Sequence, residues 1–174
     1  MKSQLMLIIF LTLSLSLFSQ DVKFFNQRPD RNFSIGLGGD GGVISLHHET
    51  LKVISYNLMI ATEMGLGATQ DFSISEPNHY YLSLPFNLSV CFGKRVHLFE
   101  AGVGSTIHLR INDPFYEFCV YPIIGYRIQP VKSNKMMFKL YTSIPYNLNF
   151  DSYIKLKDSD LYFLPIGISI GKSF

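Results

Sequence analysis

What most constrains this chain is the distance over which apolar and polar residues alternate. Tyr80, Leu82, Leu84, Phe86, Leu88, Val90 and Phe92 share one parity, and Tyr81, Ser83, Pro85, Asn87, Ser89 and Cys91 share the other. A period of two is that of a pleated strand, whose successive side chains point to opposite faces. Several such runs last ten residues or more. Strands of soluble proteins are usually about 5–6 residues long, whereas a tilted strand needs about 9–11 to cross a bilayer.

The same pattern recurs along the chain. Phe33, Ile35 and Leu37 oppose Ser34, Gly36 and Gly38; Ile44, Leu46 and His48 oppose Ser45, His47 and Glu49. From Val53 to Gly67, the row Ile54, Tyr56, Leu58, Ile60, Met64, Leu66 opposes Ser55, Asn57, Ala61, Glu63, Gly65, Gly67. Further strands are expected around Phe99–Leu109, Phe118–Ile128 and Met136–Ile144. In the closing "GISIGKSF", apolar residues from Leu164 to Phe174 alternate with Gly and Ser, and Lys172 is the one break. With the run at Tyr80 this makes eight strands.

The polar parity decides which face is outside. It carries Glu63, Glu100, Arg127 and Lys139 among Gly, Ser and Asn, and a soluble core would hold such charges only with extensive compensation. The expected fold is therefore an all-β, eight-stranded antiparallel up-and-down transmembrane β-barrel with its apolar rows facing lipid. The lumen of so small a barrel is just filled by side chains, and a filled polar lumen is expected here. Glu63, Glu100, Arg127 and Lys139 are then expected to form a lumenal charge network, a salt-bridged plug rather than an ion path. The connectors fit this fold. Thr50 to Lys52, Gly93 to Arg95 and Pro130 to Lys135 read as tight turns, and Ala68 to His79 and Asn149 to Asp160 as longer loops. Short periplasmic turns and longer outer loops are the asymmetry of outer-membrane barrels. On this reading "GGDGG", the Ala68 loop, the Asn112 to Pro114 link and the Asn149 loop face outward, and Tyr80, Tyr126, Phe92 and Phe174 lie near strand ends, where aromatic girdles belong.

The first residues, "MKSQLMLIIFLTLSLSLFSQ", join Lys2 to an apolar run and small Ser19, the pattern of a cleaved secretory signal. The run from Leu5 to Phe18 is shorter than the roughly 20 apolar residues of a helical span. The organisation expected is a signal peptide over 1–19, a short lead over 20–31 and the barrel over 32–174. Cys91 and Cys119 fall on non-neighbouring strands at different depths, so two unbridged buried thiols are expected. A formal charge of +2 without a Lys/Arg run argues against a nucleic-acid partner.

Other chemistry finds less support. "GLGGDG" has the form G-x-G-x-x-G, but a strand rather than a helix follows it, so no nucleotide site is expected. His47 and His48 point to opposite faces; His47 with Glu49, or His108 with Glu100, share the lumen side without an evident third metal ligand. Ser105 faces lipid with no His two residues away, and outward His48 and His97 lie near the other rim, so no catalytic residues are assigned. The loop acids Asp71, Glu76, Asp113, Glu117, Asp151, Asp158 and Asp160 suit cations or a surface partner, and suit solvated loops equally.

The chain resembles the small outer-membrane β-barrel proteins of the Bacteroidota, related in architecture to the outer membrane protein X and A barrels. The resemblance is carried by "FSQ", "GLGGDGGVISLHHE", "FEAGVG", "PIIGYRIQP" and "GISIGKSF". It implies outer-membrane lipid, periplasmic chaperones and the barrel assembly machinery as partners, with Gly171 and Phe174 in the assembly signal. Lys172 and His48 depart from the usual pattern, at rim positions where an outward charge costs about 0–1 kcal/mol. The resulting expectation is a monomeric, non-catalytic protein of the Gram-negative outer membrane, without cofactors and with a structural, adhesive or surface-interaction role. The rivals are a barrel enzyme that modifies lipid A and a secreted lipocalin-like carrier of an apolar ligand.

Overall fold

The computed structural model describes residues 28–55, 57–70, 80–111, 116–143, 146–147 and 164–174. The signal segment, the Ala68 and Asn149 loops beyond Gln70 and Asn147, the Asn112 to Pro114 link and the Glu117 side chain lie outside the described residues. The strands are β1 (Arg31–Gly38), β2 (Ile44–Ser55), β3 (Leu58–Gln70), β4 (Tyr80–Lys94), β5 (His97–Arg110), β6 (Tyr116–Ile128), β7 (Lys135–Ser143), β8 (Tyr146–Asn147) and β9 (Ile166–Ser173). All pairings are antiparallel: β1 to β7 each pair with their neighbours in chain order, β7 pairs with β9, and the ring closes where β9 pairs with β1. The two-residue β8 pairs with β6 beyond the end of β7 and prolongs the same stave. The result is a closed eight-stranded barrel in up-and-down order.

Burial follows the parity of the sequence. On β4 the even positions from Tyr80 to Phe92 are all exposed and the odd positions from Tyr81 to Cys91 all buried. A pleated strand in a barrel wall leaves only those two destinations. The apolar rows of β1, β3, β5 and β9 point the same way, with Ile35, Met64, Val103 and Ile170 each more than half exposed. Aromatic side chains gather on the outer wall near the tight-turn rim, where Phe92 and Phe99 stack at 6.0 Å between centroids and Phe99 meets Tyr126 edge-on at 5.8 Å. Tyr80 is exposed at the opposite end of β4.

Three expectations need correction. The first turn is not at Thr50 to Lys52: β2 continues to Ser55, and the chain reverses between Ser55 and Leu58, which are register partners. Thr50 and Lys52 are outward residues near a rim, where polar side chains meet water, and Leu51 keeps the inward parity with 4% exposure. Asn57 supplies the turn chemistry, and its carbonyl accepts a 3.0 Å bond from the Gly93 amide. Secondly, "GGDGG" stands at the loop end beside Ala68 and Thr69, as expected, but it turns into the barrel rather than forming a solvated turn. Gly38 and Gly42 take φ of 71° and 87°, values open to glycine, and the one-turn 3₁₀ segment Gly39–Gly41 between them folds into the barrel mouth. Asp40 is thereby fully buried.

Thirdly, the lumen is not polar throughout. Leu51, Met59, Ala61, Cys91 and Leu98 make an apolar cluster inside the wall of β2 to β5. Cys119, Tyr121, Ile123 and Tyr141 make another. Cys91 and Cys119 are both buried, on β4 and β6, and no disulfide joins them.

Candidate functional site

The site of interest is the lumen at mid-barrel, where charged side chains meet. On one wall Glu49 of β2 lies directly opposite Glu63 of β3. On the far wall Arg127 of β6 lies directly opposite Lys139 of β7. Like charges facing each other across a strand pair destabilise it, so neither pair suits its own sheet segment. Closure of the barrel brings the two pairs together. Arg127 Nη1 donates to Glu49 Oε2 at 3.2 Å and its Nη2 to Glu49 Oε1, while Lys139 Nζ lies 3.1 Å from Glu63 Oε2. Glu100 of β5 sits between the two cations, 3.1 Å from Arg127 Nε and 3.1 Å from Lys139 Nζ. The Arg127 Nε contact has ion-pair distance without hydrogen-bond angles. Ser89 Oγ donates to Glu100 at 2.7 Å.

These groups are sealed from solvent. Arg127 and Lys139 are fully buried, and Glu49, Glu63 and Glu100 nearly so. Removing one member of a buried, hydrogen-bonded pair costs about 3–5 kcal/mol, because the partner is left charged and unsatisfied. The network therefore ties opposite walls together at separations of 76 and 78 residues along the chain.

Two polar layers continue it. Toward the tight-turn rim, Asn32 donates to Glu49 and at 3.0 Å to Gln129, and Gln129 donates at 3.1 Å to Ser173 Oγ. Arg28 closes that end, donating to the Arg95 carbonyl at 2.9 Å. Toward the other mouth, Asn87 donates to Glu63 at 3.0 Å and to Asp40. Asp40 also accepts from Tyr121 at 3.1 Å and from Tyr141, so neutral donors on three strands hold its carboxylate. Thr106 donates to the Asp40 carbonyl at 3.2 Å.

The inward glycines make room for these side chains. A Cβ at Gly104 would fall on the Tyr121 ring, and one at Gly167 on the Tyr141 ring. At Gly65 it would come within 2.8 Å of His47 Nδ1. The small residues of the inner face are thus spacers for the large ones.

All four residues of the expected network meet here, and two acids join them that were not assigned to it. Glu49 has the right parity but stands beside the misplaced turn at Thr50. Asp40 sits in a glycine loop, which in sequence resembles any solvated turn. Of the histidine pairs, His47 reaches Ser45 Oγ at 2.6 Å and Glu63 at 3.2 Å, and His108 reaches Ser83 at 3.1 Å. Neither is paired with the acid expected beside it. Among the described residues, no three His, Cys, Asp or Glu converge as a metal-binding group. Gly171 lies opposite Ser34 and Met137, where a Cβ would meet the Phe33 carbonyl, and Phe174 is half exposed at the rim. No protein-family model matches the chain, and neither curated proteins nor solved structures give a match.

Proposed function

We propose that this is a non-catalytic outer-membrane β-barrel with a filled lumen, serving a structural, adhesive or surface-interaction role. The observation that carries the reading is the inversion of the wall: buried ion pairs inside and continuous apolar rows outside. The six outward residues of β4 from Leu82 to Phe92, a span of ten positions along the strand, illustrate the scale. At a rise of about 3.3 Å per residue and a tilt of about 40°, that row stands about 25 Å tall, the height of the apolar band of outer-membrane barrels. Water would leave this band unsatisfied, and a soluble carrier of an apolar ligand would need the faces exchanged.

Within this reading the chain is of the type found in the Bacteroidota, related in architecture to the outer membrane protein X and A barrels. It is exported by cleavage after the 1–19 segment and delivered to the barrel assembly machinery by periplasmic chaperones, with Gly171 and Phe174 in the recognised terminal strand. The tight turns face the periplasm and the long loops the exterior. In this reading the barrel works as a monomer without a cofactor, and its lumen is a plug of side chains whose charges are engaged with one another. The rigid wall then serves to present the long loops, where surface binding is expected.

Cell fractionation followed by electrophoresis with and without boiling tests this. The account expects the protein in the outer-membrane fraction, migrating faster before boiling than after. Recovery in the soluble fraction would refute it.

A further inference from the structure

The two rims of the barrel differ in charge. Around the tight-turn rim, Arg31, Lys52, Lys94 and Lys172 are exposed and share the outward parity of β1, β2, β4 and β9. Arg95, Lys132 and Lys135 are exposed in the adjoining turns or at the start of β7. Against these, Asp30 is the exposed acidic side chain among the described residues; Asp40, Glu49, Glu63 and Glu100 are all committed to the lumen. The segments that join strands at the opposite end contain Asp71, Glu76, Asp113, Asp151, Asp158 and Asp160 with Lys155 and Lys157.

The outward cations also sit beside apolar and aromatic groups. Lys172 is the register partner of Phe33 on one side and Met136 on the other, and its Nζ lies 5.3 Å over the Phe174 ring. Lys94 is the partner of His97, whose Nδ1 bonds the Tyr126 hydroxyl on the aromatic patch of Phe92 and Phe99. Long basic side chains that lie along apolar surface and end in a charge suit a boundary between hydrocarbon and polar headgroups.

We infer that the tight-turn rim is a collar for anionic phospholipid headgroups, binding the phosphodiester of the leaflet that surrounds it. The inference rests on the outer-membrane reading. Complementary charge selects an anionic over a zwitterionic lipid, the adjoining apolar wall holds its chains, and the aromatic patch marks the depth of the interface. The attraction is electrostatic and near the surface, so salt weakens it. The loop end, with Arg110 half-buried over the Tyr81 ring at 6.0 Å, does not share this role.

The test uses the full mature barrel reconstituted in phosphatidylcholine bilayers with trace spin-labelled phosphatidylglycerol or phosphatidylcholine. Electron spin resonance then gives the relative association of each lipid with the protein. Expected for the wild type is a preference for phosphatidylglycerol of about threefold at low salt, falling toward parity at about 0.5 M salt. The triple variant Lys52→Gln, Lys94→Gln, Lys172→Gln should lose most of the preference, Arg substitutions at the same positions should retain it, and Arg110→Gln should leave it unchanged. A heat-modifiable barrel that inserts and shows no preference overturns the collar alone. So does a preference that survives the triple variant or is insensitive to salt. Failure to insert in any of these bilayers overturns the outer-membrane reading together with the collar.

Discussion

Glu63 and Met64 are joined by one peptide bond, yet one is 3% exposed and the other 57%. Glu63 looks into a lumen where Lys139, His47 and Asn87 all reach its carboxylate. Met64 looks out from a wall on which its cross-strand neighbours are Phe86 and His48. The contrast extends round the barrel and separates two kinds of satisfaction. Lumenal charges find their partners within the protein, mostly from the opposite wall. The outer apolar rows find only one another along the surface, so their stability depends on the solvent outside. The interior is therefore a problem the chain solves by closing, and the exterior one that the proposed bilayer solves.

The sharpest way to break this contrast is to remove a lumenal cation. Arg127→Met leaves Glu49 and Glu100 without their guanidinium and should destabilise the barrel by about 3–5 kcal/mol, read as a lowered denaturation midpoint of the refolded protein. A charge on the outer wall comes next. Val103 is 58% exposed in the middle of β5, and Val103→Arg should cost about 2–4 kcal/mol in a lipid bilayer. The same change on a water-facing wall would be nearly neutral, so equilibrium unfolding from vesicles separates the cases.

A smaller loss is expected at the Asp40 mouth. Tyr141→Phe keeps the ring but removes a hydroxyl donor to the buried carboxylate, and should cost about 1.5–3 kcal/mol in the same unfolding measurement. Smallest is Lys172→Leu: this outward residue lies at the rim, where a surrounding bilayer would tolerate charge, and the unfolding free energy should change by no more than about 1 kcal/mol. A reversal of the order between Val103 and Lys172 would show that depth in an apolar layer is not what distinguishes them.

The wall was more legible in the sequence than the lumen, for a physical reason. Parity is carried by each strand alone, so the outward row from Tyr80 to Phe92 follows from that segment's own pattern. The partners of Glu49 and Glu63 come from β6 and β7, and only closure of the ring specifies them. Asp40 was harder still, since its burial depends on a one-turn loop entering the mouth and on tyrosines from two distant strands. The turn at Asn57 was displaced because polar Thr50 and Lys52 interrupt the apolar pattern near a rim, where the outer face is free to be polar.

The absence of tryptophan from the sequence permits a direct test of the inversion. Phe86→Trp places the probe on the outer wall, at a residue 48% exposed, and Tyr121→Trp places it in the lumen, at a residue 1% exposed. Each variant would be refolded into vesicles whose acyl chains carry bromine, a quencher of indole fluorescence on contact. The account predicts strong quenching at position 86 and little at position 121. Equal quenching at both, or quenching confined to position 121, would contradict it.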